Sequence, residues 1–351
     1  MISFVNDYSE GAHSEVLDLL LKSNLEQNNG YGLDVHSDRA KEHIKKYLNK
    51  ENVDIHFISG GTQTNLLVIS SFLRPHQCVI AADTGHINVH ETGAIEATGH
   101  KVVAMPCEYG KLTRQAIIKA LKEHSDEHMV QPKMVYVSDS TELGTIYTKK
   151  ELTELHEVCK ENNLILFLDG ARLASALTCD SNDLTLEDIA RLVDVFYIGG
   201  TKNGALFGEA LVICKDELKE DFRYLIKQRG ALLAKGFVLG IQFEALFQPR
   251  EINGQEEQES LFFENGRNAN LRAQELAKAL MAAGYEFFAP VYSNQLFPIL
   301  TKKEIKELSN QFGFLTQFEI DENYTVIRLV TSWATTKENV EKFIKALPKR
   351  L

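Results

Sequence analysis

The apolar run Asp194-Val195-Phe196-Tyr197-Ile198 ends in Gly199-Gly200-Thr201-Lys202-Asn203-Gly204, so a buried-looking strand hands one lysine to a glycine-rich loop. An ammonium crowded away from water gives up its proton more readily, and the free amine adds to a carbonyl to form an imine. An exposed loop lysine fits the same spacing. A second apolar run, Leu164-Ile165-Leu166-Phe167-Leu168, leads into Asp169-Gly170-Ala171-Arg172. It sets a carboxylate at a strand's C-terminal end, where open α/β sheets bind ligands and where a buried carboxylate calls for a cationic partner. Capping the following helix is the other role open to Asp169. Ser59-Gly60-Gly61-Thr62-Gln63-Thr64-Asn65 precedes a helical run. Free amides at that helix start, with the Thr62 hydroxyl, suit a phosphate, although a glycine turn with a threonine cap has the same signature.

Positioning such residues takes a sheet with helices on both faces. Apolar runs at Val79 to Ala82, Lys101 to Met105, Met134 to Val137, Leu164 to Leu168, Val193 to Ile198 and Ala210 to Cys214 are the expected strands. Helix-period segments near 62–73, 86–98, 113–123 and 149–162 alternate with them, the pattern of a mostly parallel α/β sheet. Residues 216–233 read as an amphipathic connection and 255–283 as the helix opening a second unit. Strands near 294–300, 315–320 and 325–329, with helices near 302–312 and 337–346, make that unit α+β. The expected division is a large ligand-binding domain over 1–249 and a small C-terminal α+β domain over 250–351.

The chain has 351 residues, enough for one large and one small unit, with 44% hydrophobic and 25% charged residues, an ordinary globular balance. Its net charge of −11 gives no footing for nucleic acid or an anionic membrane, so a small-molecule substrate is expected. Cys78, Cys107, Cys159, Cys179 and Cys214 are scattered and form no C-x-x-C pair, so no metal site is expected and the thiols suit a reducing compartment. The N-terminal residues lack a basic stretch followed by an apolar run, and the cytoplasm is the expected location.

Taken together, the motifs resemble the threonine aldolase and β-eliminating lyase family of pyridoxal-phosphate enzymes, within the aspartate-aminotransferase-like fold. The matching stretches are Asn6-Asp7-Tyr8, Asn29-Gly30-Tyr31-Gly32, Gly60-Gly61-Thr62-Gln63-Thr64-Asn65, His86, Asp169-Gly170-Ala171-Arg172, Thr201-Lys202-Asn203-Gly204 and Arg328. The resemblance implies that Lys202 carries the aldehyde of pyridoxal 5'-phosphate as a Schiff base. Asp169 would then keep the pyridine nitrogen protonated, and His86 would stack on the ring and serve in proton transfer. It further implies phosphate contacts from Gly61, Thr62 and Thr201, and substrate-carboxylate binding by Arg172 and Arg328. Asn6 joins the substrate side, and Tyr31 and Lys235 match positions that reach a neighbouring subunit's site, so a homo-oligomer, a dimer or homotetramer, is implied.

The implied reaction is retro-aldol cleavage of threonine or allo-threonine to glycine and an aldehyde. β-Elimination, racemisation and transamination use the same cofactor, and a non-catalytic phospho-ligand module is a reading from another class. One departure bears on substrate choice. Many relatives carry Asn-Thr-His-Asn where this chain has Asp139-Ser140-Thr141-Glu142, so either Thr141 or Glu142 stands in for the histidine near the substrate hydroxyl, with Glu142 the candidate base, or the preferred substrate differs.

Overall fold

The computed structural model describes residues 1–252, 255–257, 259–348 and 350. Its central sheet has seven strands in the spatial order Asp54–Ile58, Glu209–Ile213, Val195–Gly199, Ile165–Asp169, Gln131–Ser138, Gln77–Ala82, Val102–Met105. The last five pair in parallel. Glu209–Ile213, expected as one more parallel strand, is antiparallel to both neighbours. The reason is the length of the connection. Residues 200–208 alone separate it from Val195–Gly199, and a parallel return needs a crossover of about a dozen residues or more. Lys202 therefore sits in a hairpin loop rather than at the start of a crossover.

Alternation along the central strands sorts side chains to two faces. Val135, Val137, Leu166, Leu168, Phe196 and Ile198 pack on one face. Tyr136, Phe167, Val195 and Tyr197 pack on the other. Two tyrosines thus share the Phe167 face, on strands either side of Ile165–Asp169.

Several boundaries differ from expectation for local reasons. The helix expected over 86–98 is instead a short helix, His86–Val89, and a 3-10 turn, Glu96–Thr98, because Thr92 (φ 52°) and Gly93 (φ 69°) are left-handed. The helix expected from 255 begins at Leu261, and Gln255–Glu257 pairs antiparallel with Arg250–Ile252. The helix over 302–312 ends at Leu308, and Phe312–Gly313 pairs with Ile2–Ser3. Residues at the start of the chain therefore pack with C-terminal ones, and Phe4 is fully buried against Phe312 and Phe343. Helices Ser14–Lys22, Val35–Leu48 and Phe237–Phe247 were not anticipated. The last is buried continuously from Leu239 to Phe247 and shows no polar face to betray a helical period.

Gly170 marks where the two ligand-bearing strand ends meet. A Cβ there would lie 1.9 Å from the Tyr197 carbonyl oxygen, and the Gly170 carbonyl accepts from Gly199 N at 3.0 Å. Gly170→Ala should therefore destabilise the fold by about 1–3 kcal/mol through overpacking. Thermal unfolding checks this, and an unchanged midpoint would contradict the close approach.

Candidate active site

Asp169, 4% exposed, ends its strand at the centre of a hydrogen-bond cluster. Its Oδ2 accepts from the Tyr136 hydroxyl at 2.5 Å and Asn65 Nδ2 at 3.1 Å. Oδ1 accepts from the Tyr197 hydroxyl at 2.5 Å and Ala171 N at 3.0 Å. Burial alone would raise this carboxyl's pKa. The nearby His86 charge and the tyrosine and backbone donors outweigh it and hold the group below its ordinary value. All four bonds come from neutral donors, so the ionised carboxylate has its hydration replaced but no bonded cation. It does not cap the following helix, which starts at Leu173 with Arg172 in the cap position; the bond from Ala171 N closes a turn ahead of it.

Lys202 is part-buried one strand over. Loss of water around it and then the Arg172 charge lower its pKa, while Asp7, Asp169 and Glu209 act the other way. The net direction favours a neutral, nucleophilic amine. Thr201 is engaged differently from expectation. Its hydroxyl donates to Glu209 Oε1 at 2.9 Å and accepts from Gly208 N at 2.9 Å, so it braces the lysine loop and is not free for a phosphate. The helix Gly61–Phe72 starts from Gly60 without a side-chain cap, which leaves the amides of Gly61 and Thr62 open to an anion. A Cβ on Gly61 would lie 3.1 Å from the Tyr197 hydroxyl. Glycine thus lets this helix start approach the Asp169 cluster.

His86 is fixed from two sides. Nδ1 lies 2.7 Å from Glu91 Oε1, and the backbone N–H donates to Glu142 Oε1 at 2.8 Å. Facing a carboxylate, Nδ1 carries the proton and Nε2 is the acceptor in the neutral ring. Glu91 Oε1 also accepts from Asn65 Nδ2 at 2.7 Å, which joins His86 to the Asp169 cluster through two side chains. Glu142 Oε1 accepts from Ser138 Oγ at 2.7 Å as well. Burial raises the Glu142 pKa, with the Ser138 bond opposing. Thr141, the other stand-in for the missing histidine, is 0% exposed and committed to Thr145 Oγ1 at 2.8 Å, so it does not face a substrate.

Arg172 grips Asp7 with two donors, Nε to Oδ2 at 2.7 Å and one terminal nitrogen to Oδ1 at 3.0 Å. Half of its expected fork is thereby taken by the protein. Arg328 is freer, with one terminal nitrogen 3.5 Å from the Val5 carbonyl and a buried Nε that has no partner. Burial and the neighbouring Arg172 lower the Arg328 pKa, so the two like charges sit close enough to favour an anion between them. Asn6 has its side-chain oxygen engaged by Tyr8 N at 2.9 Å and Ser9 Oγ at 3.0 Å; it shapes the turn that presents Asp7. Tyr31 and Lys235 are exposed and lie together, since Tyr31 N donates to Ala234 O at 3.1 Å. Neither bonds to the Lys202 cluster within one chain.

Asp7, Asn65, Glu91, Tyr136, Tyr197 and Glu209 belong to the site and escaped the sequence reading. Asn65 lies inside the quoted glycine motif, and Glu91 follows His86 closely enough to have been suspected. The residues present fit pyridoxal phosphate: an ionised carboxylate lacking a cation, an uncapped helix start over it, an amine biased toward neutrality and an orphaned arginine Nε.

Comparisons with known proteins point to one family and fold. The family model described as β-eliminating lyase matches residues 11–303. A low-specificity L-threonine aldolase from Pseudomonas sp. is 31% identical over 315 residues, covering 88% of this chain and 87% of that protein. A solved threonine aldolase from Leishmania major superposes with a TM-score of 0.94 at 52% identity, covering 98% of each chain. An aspartate aminotransferase from Thermus thermophilus, 14% identical with a TM-score of 0.71 over 99% of this chain and 90% of that one, shares the fold.

Asp169→Asn keeps the shape of the cluster and removes its charge. With a charge-assisted hydrogen bond worth about 1.5–3 kcal/mol, pyridoxal phosphate should be held roughly 10- to 150-fold more weakly. Equilibrium dialysis checks this, and unchanged retention would mean the carboxylate does not face the ring nitrogen.

Proposed function

This chain belongs to the β-eliminating lyase family, and we propose that it cleaves the Cα–Cβ bond of threonine or allo-threonine to glycine and acetaldehyde, using pyridoxal phosphate held by Lys202. The observation that carries the reading is the pairing of a part-buried amine with a buried carboxylate bonded only to neutral donors, at the ends of adjacent strands. When bound, the cofactor supplies a conjugated ring with a protonated nitrogen that accepts the electron pair released as the bond breaks. Asp169 Oδ holds that nitrogen's proton in place. The amides of Gly61 and Thr62 would hold its phosphate, and His86, held by Glu91, would contact the ring.

Arg328, with the remaining face of Arg172, would bind the substrate carboxylate and so fix the substrate's orientation in the site. Glu142 takes the β-hydroxyl proton. Burial raises its pKa above the ordinary glutamate value, which makes the carboxylate a stronger base, and its bond to the His86 backbone keeps it beside that residue.

We also propose a homo-oligomer, a dimer or homotetramer, in which Tyr31 and Lys235 complete a neighbour's site. Support comes from their exposure beside Leu33 and Val35, which are 57% and 48% exposed. The cytoplasm is the proposed location, supported by five free thiols. No helix among the described residues is long and apolar enough to cross a membrane.

Purified protein should release aldehyde from L-threonine or L-allo-threonine far faster than it forms pyruvate from serine or racemises alanine; dominant pyruvate or racemised product would overturn the retro-aldol reading. A carboxyl with a raised pKa is protonated at the acid end, so kcat/KM should fall as pH drops through a midpoint above the usual glutamate range. Glu142→Gln should lose that limb and roughly 100- to 10,000-fold in rate. Retention of the wild-type rate would remove Glu142 as the base.

A further inference from the structure

His36 takes no part in the proposed reaction and is 3% exposed, yet both of its ring nitrogens face carboxylate oxygens. Nδ1 stands 2.5 Å from Glu244 Oε2, and Nε2 stands 2.7 Å from Glu26 Oε2. The ring belongs to the first turn of the helix Val35–Leu48, and Glu244 to the helix Phe237–Phe247 packed against it. A Cβ on Gly240, one helical turn before Glu244, would lie 2.6 Å from Ser37 N, so glycine lets the two helices close on each other beside the pair. Glu26 comes from the connection between Ser14–Lys22 and Val35–Leu48. That connection also carries Tyr31 and the exposed Leu25 and Leu33.

A neutral imidazole has one N–H and one lone pair, so it satisfies one carboxylate and repels the other. The imidazolium has two N–H donors and satisfies both. The charged and titratable groups around the ring are Glu26 from the connection, Glu244 from Phe237–Phe247, and Arg39 and His43 from its own helix. Asp34, at the start of that helix, spends both oxygens on Ser37. The helix Leu186–Leu192 packs at the far end of Val35–Leu48, where Glu187 accepts from the Asn49 side chain at 3.0 Å. Arg39 lies 3.4 Å from Glu244 Oε1, so a charged His36 sets two cations against two carboxylates. In agreement, burial works against the charged ring, but the bonds to Glu26 and Glu244 outweigh it and raise the His36 pKa.

We propose that His36 is a pH-operated latch, which as the imidazolium ties the connection at Glu26 to the helix Phe237–Phe247 and on losing its proton to solvent releases Glu26. The Glu26 bond is the one that breaks, because that side chain is 49% exposed and takes up water, whereas Glu244 is 7% exposed and keeps Arg39. The neutral ring then turns its one N–H, on Nδ1, toward Glu244. A histidine whose pKa is raised by folding gives its full stabilisation below the unfolded value and loses it as pH rises through the folded one. The latch is therefore closed in mild acid and opens above the ordinary histidine range. Tyr31 stays pinned, since its N–H donates to Ala234 O at 3.1 Å and its carbonyl accepts from Arg223 at 2.8 Å. The part set free is residues 24–30. This inference stands apart from the cofactor and the reaction.

Deuterium exchange at the histidine C2 position, read by peptide mass, gives the titration midpoint of His36 in the intact holoprotein. Backbone amide exchange over residues 24–30, corrected for its intrinsic pH dependence, reports the latch. In wild type His36 should titrate above the ordinary value of about 6.5. Protection of 24–30 should fall across that same midpoint, while the helix Lys149–Glu161 shows no step. Glu26→Gln removes the charge but keeps the tie, since its oxygen accepts from the charged ring and its amide donates to the neutral one. It should lower the His36 midpoint by about one pH unit and abolish the step. A wild-type midpoint at or below the ordinary value, protection of 24–30 that does not change across the midpoint, or an undiminished step in Glu26→Gln overturns the latch. Should that variant fail to fold, Glu26→Ala, which removes the tie, should leave 24–30 poorly protected at every pH. A step persisting there overturns the proposal equally.

Discussion

A carboxylate stays ionised out of water only where its neighbours replace the lost hydration, and the Asp169 cluster is built to do that. Two tyrosine hydroxyls, an asparagine amide and a backbone amide supply the donors. Among the described residues no lysine or arginine bonds to it. The site is therefore stable enough to exist and still electrically incomplete, which is the condition for holding a protonated ring tightly. Replacing these donors with a protein cation would satisfy Asp169 and end its usefulness.

Other features follow from that requirement. Tyr136 and Tyr197 must come from strands flanking Ile165–Asp169 and on the same face, which parallel register and side-chain alternation provide. The hairpin return at residues 200–208 then sets Lys202 beside them, and the strand it returns on begins with Glu209. The Tyr197 carbonyl leaves no room for a side chain at Gly170, and its hydroxyl would press on one at Gly61. One tyrosine thus explains both.

The residues that close an apolar run were legible in the sequence. Lys202, Asp169 and the Gly60-Gly61-Thr62 turn each interrupt a pattern, and the central strands were recognised because burial on both faces makes them continuously apolar. Tyr136 and Tyr197 were not legible as site residues, since inside such strands a tyrosine reads as core and its hydroxyl's partner depends on register between strands. Asp7 and Arg172 meet across 165 positions, which no local pattern reports. Glu209 reads as the solvated start of a strand until the antiparallel hairpin encloses it. The resemblance to a family assigned Thr201 to a phosphate and gave Arg172 a whole fork; the loop geometry turns the first toward Glu209, and Asp7 takes half of the second.

The central claim, that the Lys202 amine is the group bonded to the cofactor, is tested most directly by covalent trapping. Holoprotein is reduced with borohydride, digested and mapped by mass. The account predicts a phosphopyridoxyl group on the peptide containing Lys202 at close to one per chain. A modification distributed over exposed lysines, or fixed on a different one, would contradict it.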